Sequence, residues 1–171
     1  MVKLKSLIDR LKRTPLDLRQ LEKIIPKSCK AMQYKQLKGK NRRELFSDNE
    51  GIVLLIPSKK SKIGHFVCLL PRRNHIEYFS SLGNSPKEEI FKLEQDKEVL
   101  DHILGKSFIY NSVPLQRGDF AIVDCGLWML CRLYLRELKL REFQTLFSSR
   151  LTLQSGDDIA SILAILLLTE V

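Results

Sequence analysis

The sequence predicts an α+β fold, in which helices pack around a central, mostly antiparallel sheet. Three segments of strand length follow one another at residues 51–57, 64–70 and 75–80, separated by short polar connections. The first is a continuous apolar run, which is typical of a buried central strand. Helical patterns lie on both sides of these strands in the chain. Since short turns join antiparallel neighbours, we expect a meander with helices packed against it.

The chain before the sheet is predicted to be helical and basic. Residues 2–13 place apolar side chains at helical spacing on one face. Pro15 suits the first turn of a second helix, which we expect to end at Ile25 because Pro26 follows. A lysine-rich segment then leads to one helical turn at residues 42–46.

The predicted elements after the meander are mostly helices. Ser85 is a good N-cap with Pro86 at the first helical position, so we predict a helix that crosses the sheet and ends at Gly105. The remaining predicted elements are a strand at 108–112 and helices at 125–139, 140–147 and 159–168.

The length of 171 residues is sufficient for one domain with a substantial core. We expect a single domain over 1–171, with a basic helical part at 1–47, the sheet and its crossing helix at 51–112, and a helical part at 125–171. Hydrophobic residues make up 44% of the chain and charged residues 29%, which is typical of soluble globular proteins. The longest apolar run has about ten residues, too few to span a bilayer, so we expect no membrane partner.

The four cysteines, Cys29, Cys68, Cys125 and Cys131, have a spacing that matches no zinc site. We predict no metal and no required cofactor, and we expect free thiols in a reducing compartment. Cys68 lies in an apolar strand and is expected in the core. Cys131 follows Cys125 by over one and a half helical turns, so it is expected to face away from it. Cys29 lies in the basic segment, where we expect it to be exposed.

The net charge of +9 is unevenly distributed along the chain. Residues 1–73 contain 19 Lys and Arg against 6 Asp and Glu, a net charge of +13, whereas residues 74–171 contain 10 against 14, a net charge of −4. The basic half favours a polyanionic partner, with nucleic acid first. The alternative is a basic surface that only keeps the protein in solution.

A candidate catalytic pair consists of a cysteine and a histidine. Cys125 begins a predicted helix, whose unpaired N–H groups and dipole stabilise an anion, and the thiolate is the nucleophilic form of cysteine. Gln116 lies upstream and can supply an amide donor. Of the three histidines, His102 falls in a charged helix and His75 lies beside a turn. His65, at the start of a strand, is the best candidate for the base.

These residues belong to a set of segments that resembles a known protein superfamily. The segments are Gly64-His65-Phe66, Glu77-Tyr78-Phe79-Ser80-Ser81-Leu82-Gly83, Asn111-Ser112-Val113-Pro114-Leu115-Gln116 and Asp124-Cys125-Gly126-Leu127-Trp128. In order and spacing they resemble the adenain-type cysteine proteases, over roughly residues 34–134. This superfamily includes the adenovirus endopeptidase, the related proteases of virophages, polinton-like elements and large DNA viruses, and the SUMO- and ubiquitin-like-specific proteases.

The resemblance implies a role for each matched residue. Cys125 is the nucleophile, and His65 acts as general base and then as general acid. The Gln116 side chain donates to the oxyanion, with the backbone N–H of Cys125 as the second donor. Trp128 is either part of the core or part of the wall near the site.

The third member of the family's site, an Asp, Glu or Asn, falls on Ser80 in this sequence. Serine cannot balance an imidazolium charge, but its hydroxyl can orient the ring. Asn84 and Ser81 are alternatives, and a cysteine–histidine pair without a third member is another. Glu77 is close in sequence, but strand alternation turns positions 77 and 80 to opposite faces.

The resemblance implies a viral endopeptidase that cleaves capsid and core precursors during virion maturation through an acyl-enzyme. We expect a monomer in the virion and at the assembly site in the host cytoplasm or nucleus. The basic residues of 1–73 would contact nucleic acid. Activation by DNA or by a peptide stays open. In the adenovirus enzyme a cysteine outside the site tethers an activating peptide, and Cys29 is a candidate for that role. The alternatives are a deubiquitinating or deSUMOylating hydrolase, and an inactive relative that acts as a DNA-binding virion protein.

Overall fold

The computed structural model describes residues 2–60, 64–117, 124–148 and 155–169, and it contains a five-stranded sheet. The strands lie side by side in chain order: β1 (Cys29–Gln33), β2 (Gly51–Ile56), β3 (His65–Pro71), β4 (Ile76–Phe79) and β5 (Phe108–Tyr110). The predicted α+β class is confirmed, and the three strands of the predicted meander form the antiparallel centre of the sheet.

The two outer strands are parallel to their neighbours, so the sheet is mixed. β5 runs parallel to β4 because the intervening helical segment returns the chain to the end of the sheet where β4 begins. β1 runs parallel to β2, with Cys29 opposite Gly51. The part at 1–47 that was predicted to be helical therefore also contains a strand, β1, within its lysine-rich segment. Lys30 of β1 is exposed between the buried residues Cys29 and Ala31. The lysine-rich composition of this segment gave no strand signal in the sequence.

Eight helices and one 3₁₀ turn are present in the described ranges. They are α1 (Val2–Arg13), α2 (Leu18–Ile24), the 3₁₀ turn (Tyr34–Leu37), α3 (Arg42–Phe46), α4 (Pro86–Lys92), α5 (Lys97–Leu104), α6 (Cys125–Tyr134), α7 (Leu140–Ser148) and α8 (Gly156–Thr169). None of these helices combines the length and the hydropathy that a membrane span requires.

Several helices differ from their predicted bounds: α6 ends at Tyr134 rather than at residue 139, and α8 begins at Gly156 rather than at residue 159. In two others, local capping overrides the periodicity. α2 begins after Asp17, whose carboxylate accepts from the Gln20 N–H at 2.8 Å while the Gln20 side chain accepts from the Asp17 N–H at 2.9 Å. The predicted crossing helix is two helices, since Glu94 has a φ of 56° and Asp96 caps the start of α5.

Helices cover both faces of the sheet, and strand alternation divides the core in two. One core joins α2, α6, α7 and α8 to the face that includes Val53 and Cys68. The other joins α4, α5 and the 3₁₀ turn to the face that includes Ile52 and Leu69. α6 lies deepest, since each residue from 126 to 133 is buried. The core therefore fixes the position of the α6 N-terminus relative to the sheet.

Three of the four cysteines lie in the core. Cys68 and Cys131 are fully buried, as predicted, and the Cys131 thiol contacts the Ala160 carbonyl rather than the N-terminus of α6. Cys29 is also buried, so the expectation that it is exposed is wrong, and burial raises the pKa of its thiol. Trp128 is fully buried as well, which decides its role in favour of the core.

A buried ion pair joins α6 to the sheet. The Arg132 guanidinium donates to both carboxylate oxygens of Glu77, at 2.7 and 2.9 Å, and both residues are almost completely buried. Arg72 donates to the same carboxylate at 2.8 Å. Because Glu77 points away from the face of Ser80, it serves this structural pair, as strand alternation predicted.

We expect Glu77→Gln to destabilise the fold by about 3–5 kcal/mol, because it leaves the buried Arg132 charge without its counterion. Urea unfolding followed by circular dichroism measures this. The matched control is Glu50→Gln, which removes the exposed ion pair with Arg136 and should leave the unfolding midpoint almost unchanged. Equal midpoints for the two variants would contradict a structural role of the buried pair.

Candidate active site

Cys125 and His65 meet because α6 packs directly on β3. Cys125 is the first residue of α6 and is partly exposed, whereas His65 is the first residue of β3 and is 7% exposed. Gly64 precedes the histidine, and a Cβ there would lie 2.6 Å from the Ile56 carbonyl oxygen. Only glycine allows the chain to enter the strand so close to β2, which places the imidazole at the end of the central strand β3.

The imidazole of His65 interacts with a thiol on one side and a carboxylate on the other. Burial lowers the pKa of His65, but a hydrogen bond with Cys125, the charge of Cys125 and the charge of Glu89 together outweigh burial and raise it. The protonated ring is therefore favoured when the sulfur is a thiolate. This is the electrostatic relation that a cysteine nucleophile and its base require.

Ser80 is the residue in contact with the second ring nitrogen of His65. Its Oγ lies 3.2 Å from Nε2, and both side chains are buried. Asn84, the alternative third member, lies one step further away: its amide donates to Glu89 at 3.1 Å. Ser81, also considered, contacts Gln116 instead. Of the predicted candidates, the structure brings Ser80 to the ring.

Glu89 on α4 is a neighbour of this site that the sequence prediction missed. The residue is 2% exposed, and its Oε2 accepts a hydrogen bond from the Ser80 hydroxyl at 2.8 Å. The same oxygen lies 3.9 Å from His65 Nε2. A signal was present, because helical spacing from the Ser85 cap places position 89 on the same face as Pro86 and near Ile90, both buried.

Gln116 is held by the residue that follows Ser80. The Ser81 hydroxyl donates to Gln116 Oε1 at 2.6 Å, and the Ser81 carbonyl accepts from the backbone N–H groups of Leu115 and Gln116 at 2.9 and 3.0 Å. Because Oε1 is taken up by this bond, the amide Nε2 is the donor end of the side chain. Gln116 is 7% exposed, so its amide is held in a largely dry setting.

The turn after β4 and the loop after β5 are joined into one support for these groups. The Asn111 amide donates to the Ser80 carbonyl at 2.6 Å and to the Val113 carbonyl at 2.9 Å. Gly83 has a φ of +74°, and a Cβ there would lie 2.7 Å from the Pro114 nitrogen. The two loops therefore pack backbone against backbone, which fixes Gln116 relative to His65.

Asp124, immediately before Cys125, is a buried carboxyl group. Neither of its carboxylate oxygens has a hydrogen-bond partner among the described residues. Burial, and next the charge of Asp157, raise the pKa of Asp124 to about 8. Burial raises the pKa of Asp157 as well, but this carboxylate accepts from the Trp128 indole at 3.1 Å and from the Arg117 backbone N–H at 3.3 Å, and both hydrogen bonds oppose the rise. Asp124 is therefore the member of this pair that holds the proton near neutral pH.

We expect Asp124→Asn to become progressively more stable relative to wild type as the pH rises from about 4 to 8. The pKa is 3.8 in the reference state and about 8 in the fold, so the folded state holds the extra proton within this window and loses stability as the pH rises. Asparagine does not titrate, so the stability of the variant lacks this pH-dependent loss. Thermal unfolding at four pH values measures the difference, with Asp48→Asn as an exposed control, and a constant difference would contradict the prediction.

Comparisons with known proteins return viral proteins and proteases. No protein-family model matches the chain. The chain is 33% identical over 104 residues to the uncharacterized protein V9 of Sputnik virophage, which spans 54% of this chain and 59% of V9. The match therefore covers less than two-thirds of the length of V9.

Two solved structures are similar to the chain at low sequence identity. The crystal structure of the ASFV pS273R protease is similar with a TM-score of 0.49 and 15% identity, over 89% of this chain and 68% of that one. The SUMO protease Ulp1, with its catalytic cysteine oxidised to a sulfonic acid, is similar with a TM-score of 0.39 and 17% identity, over 96% and 77%.

Proposed function

We propose that the chain is a viral cysteine endopeptidase that cleaves capsid and core precursor proteins during virion maturation. The observation that carries the proposal is the placement of Cys125, the first residue of the buried helix α6, beside the buried imidazole of His65, the first residue of the strand on which α6 packs. The interaction with Cys125 contributes to the raised pKa of His65. The relative from a virophage supports the viral setting. The site of action would be the virion and the place of assembly in the host cell, in a reducing compartment.

The first half of the reaction would use the thiolate and the oxyanion donors. His65 takes the thiol proton, and the Cys125 sulfur attacks the carbonyl carbon of the scissile peptide bond. The carbonyl oxygen becomes an oxyanion, which accepts from the Gln116 amide and from the Cys125 backbone N–H. That N–H is among the helix N-terminal groups without an intrahelical partner, so the helix end favours the negative charge.

The second half would restore the enzyme. The imidazolium of His65 gives its proton to the leaving amine as the carbon–nitrogen bond breaks, and the acyl group stays on Cys125 as a thioester. His65 then takes a proton from water, and the resulting hydroxide attacks the thioester. The carboxylic acid product leaves, and the proton returns to the sulfur–imidazole pair.

We expect Cys125→Ala to abolish cleavage of a co-expressed capsid precursor, and Gln116→Ala to lower kcat by roughly 10²–10³, the typical loss for one oxyanion donor. Mass spectrometry of the new peptide termini measures both effects. The controls are Cys29→Ala, a thiol outside the site, and Gln36→Ala, an exposed amide; both should cleave at the wild-type rate.

Two outcomes of this experiment would contradict the proposal. If Cys125→Ala cleaves as fast as wild type, Cys125 is not the nucleophile. If the precursor stays intact while a ubiquitin-like vinyl sulfone labels Cys125 rapidly, the chain is a deubiquitinating or deSUMOylating hydrolase instead.

A nucleic-acid partner is part of the proposal because the basic residues of 1–73 include an exposed cluster. The side chains of Lys30, Lys35, Lys38 and Lys40 are exposed at the outer edge of the sheet, on β1 and the turn that follows it. A cluster of this kind binds phosphates through charge, without reading sequence. Cleavage next to packaged DNA would then be faster than cleavage in free solution.

We expect the wild type to bind double-stranded DNA with an affinity that falls as the salt concentration rises, since phosphate contacts release counterions. Lys35→Glu/Lys38→Glu should weaken binding and reduce the slope of log K against log salt by about 1–2. Fluorescence anisotropy measures this, with Lys97→Glu/Lys106→Glu, exposed lysines of the acidic half, as the control. No binding of the wild type at low salt would contradict the nucleic-acid role.

A further inference from the structure

Glu89 is a buried carboxylate whose side chain reaches behind the ring of His65. It enters from α4, a helix that is separate in the chain from every element that carries a predicted catalytic residue. Its Oε2 lies 2.8 Å from Ser80 Oγ and 3.9 Å from His65 Nε2. The three side chains therefore form a continuous row from a carboxylate through a hydroxyl to an imidazole.

The charge of Glu89 needs a partner, since a carboxylate that is 2% exposed is rarely left uncompensated. Within the described part of the chain, the ion pair recorded for Glu89 is the one with His65. Asn84 adds a hydrogen bond at 3.1 Å but no charge. Lys92, one helical turn further along α4, donates its ammonium to the side-chain Oδ1 of Asn84 at 2.7 Å. The imidazolium that forms when His65 takes up a second proton would therefore be the cation that pairs with Glu89 among the described residues.

The protons in this row can be assigned from the chemistry of the three groups. Ser80 has one hydroxyl proton, and Glu89 as a carboxylate can only accept, so the hydroxyl proton lies between Ser80 and Glu89. Ser80 Oγ must then accept from His65, which puts a proton on Nε2. Nδ1 is the remaining ring nitrogen, so it is the nitrogen that would accept the proton of Cys125.

We propose that Glu89, acting through the hydroxyl of Ser80, is the positioning acid of His65. It holds the ring in the tautomer that carries its proton on Nε2, and it stabilises the imidazolium formed when Cys125 gives up its proton. Glu89 touches neither substrate nor sulfur, so it acts through His65. The inference rests on the proposed protease function and deepens it: the charge that the family places at the Ser80 position comes here from α4.

The first test measures the histidine ring itself. Nitrogen-15 NMR of His65 is recorded against pH in Cys125→Ala and in Cys125→Ala/Glu89→Gln, and His65→Gln identifies the signals among the three histidines. We expect Glu89→Gln to lower the pKa of His65 by about 1–3, the range for an adjacent opposite charge. The neutral ring should also change from one tautomer to a mixture.

Glu88→Gln is the matched control, because Glu88 is the adjacent carboxylate on the same helix and is exposed. Glutamine at this position preserves the capping box with Ser85, so α4 should form as in the wild type. His65 should titrate in Glu88→Gln as it does in the parent protein. A shift of equal size in both variants would show a general field effect and overturn the proposal.

The second test measures catalysis with Cys125 present. We expect Glu89→Gln to lower kcat/KM by roughly 10² or more, since it disturbs the general base. Ser80→Ala should also lower kcat/KM. The fold-loss in kcat/KM of Ser80→Ala/Glu89→Gln should be smaller than the product of the two single fold-losses, because the two residues act as one unit. Thermal unfolding of each variant checks that the folded fraction is unchanged.

The proposal is overturned if Glu89→Gln, folded as the wild type, leaves the pKa and the tautomer of His65 unchanged. If Glu89→Gln does not fold, Ser80→Ala in the Cys125→Ala background provides the same ring measurement, and an unchanged tautomer there overturns it too. The ring signals require no turnover. Failure of the Glu89 pairing is therefore distinguishable from failure of the protease function, which cleavage by wild type and Cys125→Ala tests separately.

Discussion

The packing of α6 against β3 is the constraint on which the rest of the site depends. α6 is buried over nearly its whole length, so its N-terminus can appear at the surface at one place, beside the start of β3. The bidentate pair of Arg132 and Glu77 fixes the helix along its axis, and the core on that face fixes its rotation. A thiol at the first position of the helix then meets a histidine at the first position of the strand.

The two residues that follow β4 position the remaining groups of the proposed site. Ser80 and Ser81 are adjacent in sequence, and their side chains contact different groups of the proposed site: Ser80 contacts His65 and Glu89, whereas Ser81 donates to Gln116. Since one short segment contacts both the proposed base and the proposed oxyanion donor, a shift of that segment would misplace both together. The hydrogen bonds from Asn111 and the close approach at Gly83 oppose such a shift.

Local signals in the sequence predicted much of this arrangement, and contacts distant in sequence account for what it missed. The antiparallel centre of the sheet and the Ser85 cap depend on periodicity and capping, which short segments express. The strand at Cys29–Gln33 was missed because its pairing with β2 comes from tertiary structure, and the same pairing buries Cys29. Glu89 was missed because the favourable interaction with the helix dipole already explains an acidic residue in the first turn of a helix.

The central claim is that His65 activates Cys125, and the rate of alkylation of Cys125 tests it most directly. The measurement is the intact mass of the protein during reaction with iodoacetamide at pH 6, for wild type and His65→Gln. The three other cysteines are buried, so the adduct is expected on Cys125, and the wild type should react at least about ten times faster than the variant. Equal rates in the two proteins, or an adduct on another cysteine, would contradict the claim.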